Sequence, residues 1–277
     1  MTNTVKQPLA AIIVVYNQSC TQSLTCQQLL ALGEDAPEVL IFDNSTRDFG
    51  NRDFCRNAGW VYLGGQGNLG LSKAYNACID HLMGQGFAGF VCLFDDDTAV
   101  TGEYFSALRS AIAAGGQLFV PFIYSGGQLL SPCRLTPSHK SILFPDEKAA
   151  MAYTGSDISA INSAMAMDIA LFRDYRYDEN IFLDGIDHTH LQKMAAKNIR
   201  PAFLDVRFHH NFSGNEKPPK AAALTRFRIF ARDYAYIFRE NKTRYWFLVG
   251  KRAVRLTLQY KSPLFLKILT NPKQEVL

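Results

Sequence analysis

The stretch Phe90-Val91-Cys92-Leu93-Phe94-Asp95-Asp96-Asp97-Thr98 decides the fold of this chain. Its five apolar residues are too few for a helix and rich in β-formers, so they predict a buried strand. The three carboxylates that follow repel one another, and burial would raise their pKa values unless a cation lay among them. Ligands bind at the carboxyl edge of an open α/β sheet. The pattern favours Mg²⁺ or Mn²⁺ with oxygen ligands, shared with substrate phosphates. The alternative is a solvated acidic turn in which Asp97 or Thr98 caps the next helix.

Length and composition indicate one large α/β domain, or one domain with an appendage, because 277 residues with 48% hydrophobic content can bury a sizeable core. The six cysteines form no CxxC pair, which favours reduced thiols in a cytoplasmic protein. Residues 1–8 lack the apolar core of a signal peptide, and no apolar run is long enough to span a bilayer. The net charge of +4 is uneven: residues 241–274 carry eight basic residues and no acidic one, which leaves −4 for the rest.

Strands and helices alternate along most of the chain. The unbroken apolar run 9–16 predicts a central parallel strand that ends at Asn17, and a second strand over 38–42 ends in Asp43 and Asn44. The alternation with short connections predicts a doubly wound, mostly parallel α/β sheet with right-handed crossovers. Polar residues close several strands, so one cleft is expected to collect them. The region 125–153, rich in Gly and Pro, is expected to form a loop or hairpin excursion over that cleft.

The glycine-rich segment Gly65-Gln66-Gly67-Asn68-Leu69-Gly70 matches the GxGxxG pattern between a predicted strand and a predicted helix. A dinucleotide-binding fingerprint is disfavoured, because the segment follows the third strand rather than the first. In addition, the next strand ends in a carboxylate cluster instead of one acidic residue. A helix N-terminus behind glycines still favours a phosphate or the edge of a nucleotide base.

A second acidic site lies in Ile181-Phe-Leu-Asp-Gly-Ile-Asp-His-Thr-His-Leu191. A helix is expected to begin near Asp184, so that Asp184 and Asp187 share one face. A carboxylate beside apolar neighbours could have a raised pKa suited to a general base. The alternative is a capping role at the helix start. A metal site formed by His188 and His190 is disfavoured, because residues two apart on a helix diverge.

Two histidines, His209 and His210, follow the last predicted strand over 201–208. One of them could reach the same cleft and bind a metal ion or a diphosphate. The alternative is a pair of strand-end histidines that serve only the structure.

The order of these motifs resembles that of family 2 inverting glycosyltransferases with the GT-A fold, and within that family the chain looks most like bacterial rhamnosyltransferases. The resemblance runs from about residue 9 to 241. Five segments carry it: Ile12-Ile-Val-Val-Tyr-Asn17, Phe42-Asp-Asn-Ser45, Gly67-Asn-Leu-Gly-Leu-Ser-Lys-Ala-Tyr-Asn76, Leu93-Phe-Asp-Asp-Asp97 and Ile181-Phe-Leu-Asp-Gly-Ile-Asp187. Two positions depart from the family pattern, since Thr189 stands where a second acidic residue is usual and Lys193 where Arg is frequent.

The resemblance implies roles for individual residues. The nucleotide-sugar donor would be bound by Tyr16, Asn17, Asp43 and Asn44 at the base and ribose, by Asn68 and Lys73 on the nucleotide side, and by Asp95 and Asp96. Asp95 and Asp97 match the DxD pair that holds the ribose and a Mg²⁺ or Mn²⁺ ion, with Asp97 the main metal ligand and His209 or His210 near the diphosphate. Asp187 matches the catalytic base, and Asp184 and His188 would contact the acceptor.

The implied activity is transfer of a sugar to a hydroxyl of a cell-surface glycan or lipid-linked glycan. The resemblance to rhamnosyltransferases implies dTDP-rhamnose as the donor. The implied domains are a GT-A catalytic domain over 1–212, with a nucleotide-sugar half (1–100) and an acceptor half (101–212), followed by a linker and a basic helical region over 213–277. Two alternatives stay open. One is a metal-dependent nucleotidyltransferase, and the other, suggested by Thr189, is a degenerate sugar-nucleotide-binding protein without activity.

The basic C-terminal region predicts an amphipathic helix over 245–260. Its apolar face is expected to carry Trp246, Val249, Ala253, Leu256 and Tyr260, and its opposite face Arg244, Lys251, Arg252 and Arg255. Such a helix can lie on an anionic membrane, which suggests peripheral attachment at the inner face of the plasma membrane. The alternatives are an ordinary packed helix and a homodimer contact. Nucleic-acid binding is disfavoured, because no recognised module is present.

Overall fold

A computed structural model describes residues 7–209 and 218–272 of the chain, which form two compact units. The described part of the first unit comprises residues 7–177 and 187–209. The second comprises 178–186 and 218–272. The segment 178–186, which the sequence-based division assigns to the catalytic domain, therefore groups with the C-terminal helices. His210 and most of the predicted linker lie outside the described residues.

The strands of the first unit form two sheets. In chain order they are β1 Leu9–Val15, β2 Glu38–Asp43, β3 Val61–Gly64, β4 Phe90–Phe94, β5 Leu118–Ser125, β6 Gln128–Ser131, β7 Cys133–Leu135, β8 Ser141–Leu143, β9 Ile158–Ser159, β10 Met165–Asp168 and β11 Ala202–His209. The main sheet has the order β11-β5-β10-β4-β1-β2-β3, with β6 beside β5. A small antiparallel sheet has the order β8-β7-β9.

The main sheet is mixed and mostly parallel. Strand β1 pairs in parallel with β2 and β4, β2 with β3, and β5 with β11, whereas β10 is antiparallel to β4 and β5. The chain first moves from β1 outward to β3 and then returns to the other side of β1 as β4. The strand order therefore reverses between β1 and β4, and the carboxyl ends of these two strands form the crevice where such sheets bind ligands. The predicted doubly wound α/β architecture is confirmed.

The helices of the first unit follow the predicted alternation. They are α1 Leu24–Ala31, α2 Asn51–Ala58, α3 Leu71–Gly84, α4 Gly102–Ala114, α5 Glu147–Ala152 and α6 Ile186–Ala195. Helix α2 has no counterpart among the predicted elements, because its sequence is polar and it buries only Asn51 and Cys55. Helix α6 begins two residues later than predicted, so Asp184 precedes it. The predicted pairing of Asp184 and Asp187 on one helix face is therefore wrong.

The core of the first unit lies on both faces of β1 and β4. All five residues of β4 are buried, as expected for a strand covered by helices on both sides. Burial of each large apolar side chain contributes about 1.5–3 kcal/mol. The region 125–153, expected to be irregular, contains β6, β7, β8 and α5. A small cluster that includes Phe122, Leu129 and Phe144 stabilises it.

The second unit contains three helices among its described residues, α7 Lys220–Ile237, α8 Lys242–Tyr260 and α9 Leu264–Thr270. They share an apolar core, and this corrects the predicted exposure of α8. Val249, Ala253 and Leu256, expected on a membrane-facing side, are buried in that core. Arg252, expected on the solvated side, places its guanidinium 4.1 Å from the centre of the Phe230 ring.

All six cysteines are free and buried in the first unit: Cys20, Cys26, Cys55, Cys78, Cys92 and Cys133. Within the part of the chain that the structure describes, no helix combines the length and apolar character needed to cross a membrane.

Candidate active site

The acidic turn after β4 is fixed through its backbone by the start of α1. The Ser23 hydroxyl donates to the carbonyl of Asp96 (2.6 Å), and the Thr25 hydroxyl donates to that of Asp95 (2.5 Å). Thr25 also accepts a hydrogen bond from the backbone N–H of Thr98 (2.9 Å). The first residue of helix α4 is Gly102, with Thr101 at its N-cap position, so neither Asp97 nor Thr98 caps that helix. The alternative that the turn is a helix cap is therefore wrong.

The carboxylates of this turn repel one another. Burial, followed by the charges of Asp97 and Asp96, raises the pKa of Asp95 to about 6, while a hydrogen bond from Ser163 acts in the opposite direction. The charge of Asp187 also contributes to the rise. Because the interaction between two charges weakens with distance, this effect indicates that the carboxylates of Asp95 and Asp187, both in the first unit, lie near each other.

Tyr75 of α3 lies beside both acidic sites. Its side chain is buried, and burial, followed by the charge of Asp95, raises its pKa well above the usual range. Tyr177 and Asp187 contribute in the same direction. The Tyr75 hydroxyl therefore stays protonated and can act as a hydrogen-bond donor next to the carboxylates.

Asp187 and His188 lie at the start of α6. The Asp187 Oδ1 atom accepts a hydrogen bond from the backbone N–H of His188 (2.7 Å), which orients the carboxylate. The His188 Nδ1 atom lies 2.7 Å from the Ser159 hydroxyl and 3.9 Å from Asp187 Oδ1. The side chains of Asp187 and His188 keep 18% and 17% of their surface exposed, so both can reach a bound molecule.

His190 is a core residue rather than a ligand. Its ring stacks on Tyr177 with centroids 4.1 Å apart and lies 5.8 Å from Phe172. Burial lowers its pKa to about 3, with a further contribution from Lys193, so the imidazole is neutral at physiological pH.

Polar residues at the carboxyl ends of β1 and β2 form a connected network. Asn17, whose φ of 51° is left-handed, accepts hydrogen bonds from the N–H and hydroxyl of Thr46, both at 3.0 Å. Asn44 accepts from the backbone N–H of Leu69 (2.9 Å) and donates to the carbonyl of Gly70 (3.3 Å). Asn44 thus fixes the glycine-rich loop to the end of β2.

Asp43 lies at the end of β2 and accepts three hydrogen bonds. The donors are the N–H of Ser45 (3.0 Å), the side-chain amide of Asn51 (3.0 Å) and the hydroxyl of Tyr62 (3.3 Å). Burial and the charge of Asp43 raise the pKa of Tyr62 to about 12. The backbone of Gly64 passes so close that a Cβ there would lie 2.3 Å from the Asp43 carbonyl oxygen, which requires glycine.

A cavity of 390 Å³ opens beside this network. Its walls come from the ends of β2 and β3 and from the start of α2. They are Asp43, Ser45, Thr46, Arg47, Asp48, Gly50, Arg52, Asp53, Tyr62, Gly65 and Gly67. Arg52 lies over the Tyr62 ring at 4.9 Å, which gives the cavity a flat cationic and aromatic wall. Its volume is in the range of small-molecule sites.

The remaining predicted residues have varied positions. Tyr16 is 51% exposed after β1, and Lys73 is exposed in the first turn of α3. Asn68 accepts a hydrogen bond from the N–H of Gly70 (3.0 Å) and so shapes the glycine-rich loop. His209 stacks on Tyr124 with centroids 5.6 Å apart, on a strand separated from β4 by β5 and β10.

The donor set at the acidic turn fits a hard divalent cation. Carboxylate oxygens are the ligands that Mg²⁺ and Mn²⁺ prefer, and the raised pKa of Asp95 reveals an excess of negative charge that a cation would relieve. Among residues 7–209 and 218–272, no group of three or more His, Cys, Asp or Glu side chains is arranged to hold a metal ion alone.

Comparison with known families identifies the chain. The profile described as Glycosyl transferase family 2 matches residues 10–175, which is more than half of the chain and covers β1 to β10. The protein belongs to glycosyl transferase family 2. No curated protein sequence matches it significantly.

Solved structures share the fold of this family 2 protein. S. aureus TarS 1–349 in complex with UDP-GlcNAc has a TM-score of 0.52 and 15% identity over 96% of this chain and 80% of that chain. Glucosyl-3-phosphoglycerate synthase from Mycobacterium tuberculosis, in complex with Mn²⁺, UDP and glucosyl-3-phosphoglycerate, has a TM-score of 0.52 and 12% identity over 82% and 78%. The chain spans 40% of a longer TarS structure. At these identities the likeness concerns the fold, which is of the GT-A type.

Several residues that contact the acidic turn were not predicted from the sequence. Ser23, Thr25 and Ser163 are small polar residues far from the acidic turn in sequence, yet their hydroxyls bind it. Tyr75 lies within the segment 67–76, but the sequence pattern predicts no separate role for it. A usable signal was the concentration of Ser and Thr over 19–25, directly after the first strand.

Proposed function

We propose that this family 2 protein is an inverting glycosyltransferase that moves a sugar from a nucleoside-diphosphate sugar to an acceptor hydroxyl. The observation that supports the proposal is a pair of carboxylate groups in the first unit, the acidic turn at the carboxyl end of β4 and Asp187 in the first turn of α6, whose charge contributes to the raised pKa of Asp95. One site suits a diphosphate and its cation, and the other suits proton removal.

The donor is assigned to the carboxyl ends of β1 to β4. In this proposal the cavity beside Asp43 takes the nucleotide base and ribose. Tyr16, Asn17 and Asn44, which follow β1 and β2, are proposed to contact the same part of the donor. Asn68 and Lys73 face the nucleotide side, and Asp95 and Asp96 contact the donor. The Arg52 and Tyr62 wall supports the assignment, since it offers a base a stacking surface.

The acceptor is assigned to the start of α6, with Asp184 and His188 as contacts. Asp187 removes the proton from the acceptor hydroxyl as its oxygen attacks the anomeric carbon from the face opposite the leaving nucleoside diphosphate. A single displacement of this kind inverts the anomeric configuration and requires no nucleophilic side chain. The hydrogen bond from the His188 N–H orients Asp187 for this step.

A Mg²⁺ or Mn²⁺ ion would be held by Asp97 and Asp95, and when bound it neutralises charge that grows on the leaving diphosphate. The crystallised complex of glucosyl-3-phosphoglycerate synthase with Mn²⁺ and UDP supports this cofactor choice by analogy of fold. His209 and His210, also proposed near the diphosphate, are less well supported, because His209 stacks on Tyr124.

The decisive experiment measures nucleoside diphosphate release from a panel of nucleoside-diphosphate sugars with Mn²⁺, with and without acceptor glycans. Asp187→Asn should lower transfer by about 10³-fold, the range expected for loss of a general base. Asp205→Asn, whose side chain is 87% exposed, is the matched control and should leave transfer unchanged. Transfer by Asp187→Asn at the wild-type rate would contradict the base assignment, and release of pyrophosphate would favour a nucleotidyltransferase.

The finer proposal, carried by the resemblance to rhamnosyltransferases, is a rhamnosyl donor and a cell-surface glycan or lipid-linked glycan acceptor. It places the enzyme in the cytoplasm, where six free thiols are stable. Equal turnover of dTDP-rhamnose and UDP-glucose in the donor panel would argue against a rhamnose preference. A chain that binds donors yet transfers nothing would favour the degenerate binding protein.

The proposed membrane contact uses a different face of α8 from the one expected. Phe247, Val254 and Leu258 are exposed by 71%, 51% and 74%, and their spacing places them in one stripe together with Lys251. Arg244 and Arg255 are also exposed on this helix. Exposed apolar side chains among basic ones suit the surface of an anionic bilayer at the inner face of the plasma membrane.

Sedimentation with vesicles tests this contact. The wild type should sediment with phosphatidylserine-containing vesicles more than with phosphatidylcholine vesicles, and Phe247→Ser/Leu258→Ser should abolish the difference. Leu30→Ser, at an exposed apolar residue of the first unit, is the control. If the double variant instead converts a dimer to a monomer in light scattering and sedimentation does not change, the stripe is a homodimer contact.

A further inference from the structure

The segment 178–186 is anchored to α7 by one buried carboxylate. Asp233 is fully buried, and its two oxygens accept hydrogen bonds from three successive backbone N–H groups. Its Oδ1 atom accepts from Phe182 (3.0 Å), and its Oδ2 atom accepts from Leu183 (2.8 Å) and Asp184 (2.9 Å). Successive N–H groups that converge on an anion form a concave backbone nest, so the carboxylate determines the conformation of these three residues.

Further contacts from α7 hold the two ends of the same segment. Arg226 forms a bidentate ion pair with the carboxylate of Asp184, including a bond from Nη2 to Oδ1 of 2.8 Å. At the other end, the hydroxyl of Tyr236 donates to Asp178 (3.0 Å). The backbone at Gly185 has a φ of 78°, and a Cβ there would lie 3.1 Å from the Ile237 side chain. Helix α7 therefore contacts the segment along its length.

The carboxylate of Asp233 is buried against the backbone N–H groups of this segment. Burial raises the pKa of its carboxyl group, and the three N–H donors oppose that rise. The Arg232 Nε atom forms a longer ion pair with Asp233 at 3.8 Å, while its guanidinium lies over the Phe182 ring. An apolar residue at this position would leave three backbone donors without partners.

The anchored segment leads directly into the proposed base, because Ile186 is joined along the chain to Asp187. Asp184, proposed as an acceptor contact, lies within the segment itself. We propose that Asp233 is a positioning residue for sugar transfer: it fixes the segment that carries Asp184 and continues into Asp187, so that transfer depends on a carboxylate about fifty residues away in sequence. The inference rests on the proposed function and assigns Asp233 no contact with either substrate.

Asp233→Asn tests the proposal, because an amide keeps the size of the side chain but removes its charge and replaces one acceptor with a donor. We expect kcat for transfer to fall by about 100-fold, the cost of a small misplacement of reacting groups. The KM for the donor and the affinity for UDP, dTDP and GDP should not change. Hydrogen exchange at the amides of residues 182–184 should accelerate in the same variant.

A matched control separates positioning from general stability. Tyr245→Phe removes a buried hydrogen bond from the Tyr245 hydroxyl to the Leu269 carbonyl (2.9 Å) in the same helical unit and does not touch the segment. It should leave kcat and exchange at 182–184 unchanged. If Asp233→Asn does not fold, Arg226→Met, which removes the pair with Asp184 at a 45% exposed side chain, replaces it, with Arg226→Lys as its conservative partner.

Two results would overturn the inference alone: a wild-type kcat in Asp233→Asn despite faster exchange at 182–184, or an equal loss of kcat in Tyr245→Phe. If Arg226→Met is used in place of Asp233→Asn, a wild-type kcat in Arg226→Met would also overturn the inference. A wild-type chain that transfers no sugar would overturn the proposed function as well, so the two failures are distinguishable.

Discussion

Asp95 is half-buried and Asp233 is fully buried, and the groups that surround the two carboxylates differ. Burial raises the pKa of both. Around Asp95 the nearest charged groups are other carboxylates, Asp97 and Asp96, and only the Ser163 hydroxyl opposes the rise. Around Asp233 three backbone N–H donors at 2.8 to 3.0 Å oppose the rise, and the one carboxylate that adds to it, Asp184, is paired with Arg226. One site accumulates negative charge, and the other neutralises it.

The difference shows why burial alone does not identify a functional carboxylate. A carboxylate surrounded by donors stabilises the folded chain, whereas a cluster of like charges destabilises it and persists where a ligand or cation compensates the repulsion. Replacement by asparagine should therefore have opposite effects on stability at the two sites, because at Asp233 it also removes an acceptor from buried backbone N–H groups.

The largest expected effect is on activity at the acidic turn. Asp97→Asn should lower transfer in saturating Mn²⁺ by about 10²- to 10³-fold, because it removes the proposed cation ligand. The same change should raise the melting temperature of the ligand-free chain, since it relieves the repulsion on Asp95. Initial rates and thermal unfolding of one preparation measure both. A lower melting temperature would show that the turn is stabilised by its carboxylates, like the segment around Asp233.

A smaller effect is expected on stability at Asp233. Asp233→Asn should lower the free energy of unfolding by about 2–4 kcal/mol, because charged hydrogen bonds to three buried N–H groups are weakened or lost. Urea unfolding followed by tryptophan fluorescence suits this measurement, since one of the two tryptophans, Trp60, lies in the first unit and the other, Trp246, in the second. A change below about 0.5 kcal/mol would mean that the N–H donors find other partners.

The smallest effect concerns pH. The pKa of Asp95 is about 6 in the folded chain and 3.8 ordinarily, so the folded chain binds this proton more tightly than the unfolded chain does. Ionisation of Asp95 thus costs stability above pH 6, and the cost disappears as the pH falls towards 4. Between pH 7 and pH 5 the wild type should gain about 1 kcal/mol relative to Asp95→Asn. If the free energies of unfolding of the wild type and of Asp95→Asn changed in parallel with pH, the raised pKa of Asp95 would be wrong.

Local sequence patterns predicted most of the sheet. Strand β4 was predicted with its observed bounds, because a short apolar run with β-formers can hardly adopt another buried structure. Helix α2 was missed, since its sequence has few apolar positions. The face of α8 was assigned incorrectly, because two stripes of that helix carry apolar residues and the tertiary packing against α7 and α9 selects one of them.

The site was predictable where chemistry and position in the chain coincide, as at Asp95 to Asp97 after β4. It was not predictable where partners come from distant segments. Thr25 binds Asp95 across 70 residues, and Asp233 binds Leu183 across 50. His190 had the residue type of a ligand, and only its burial against the rings of Tyr177 and Phe172 shows that it belongs to the core.

The distribution of the cysteines gives the chain a built-in reporter of conformational opening. Each thiol is inaccessible in the folded first unit, and residues 218–272 contain none. A thiol-reactive dye should therefore label the protein only when the sheet opens, at a rate that follows this opening and ignores fraying of the terminal helices. Faster labelling would then locate a perturbation in the sheet without any engineered probe.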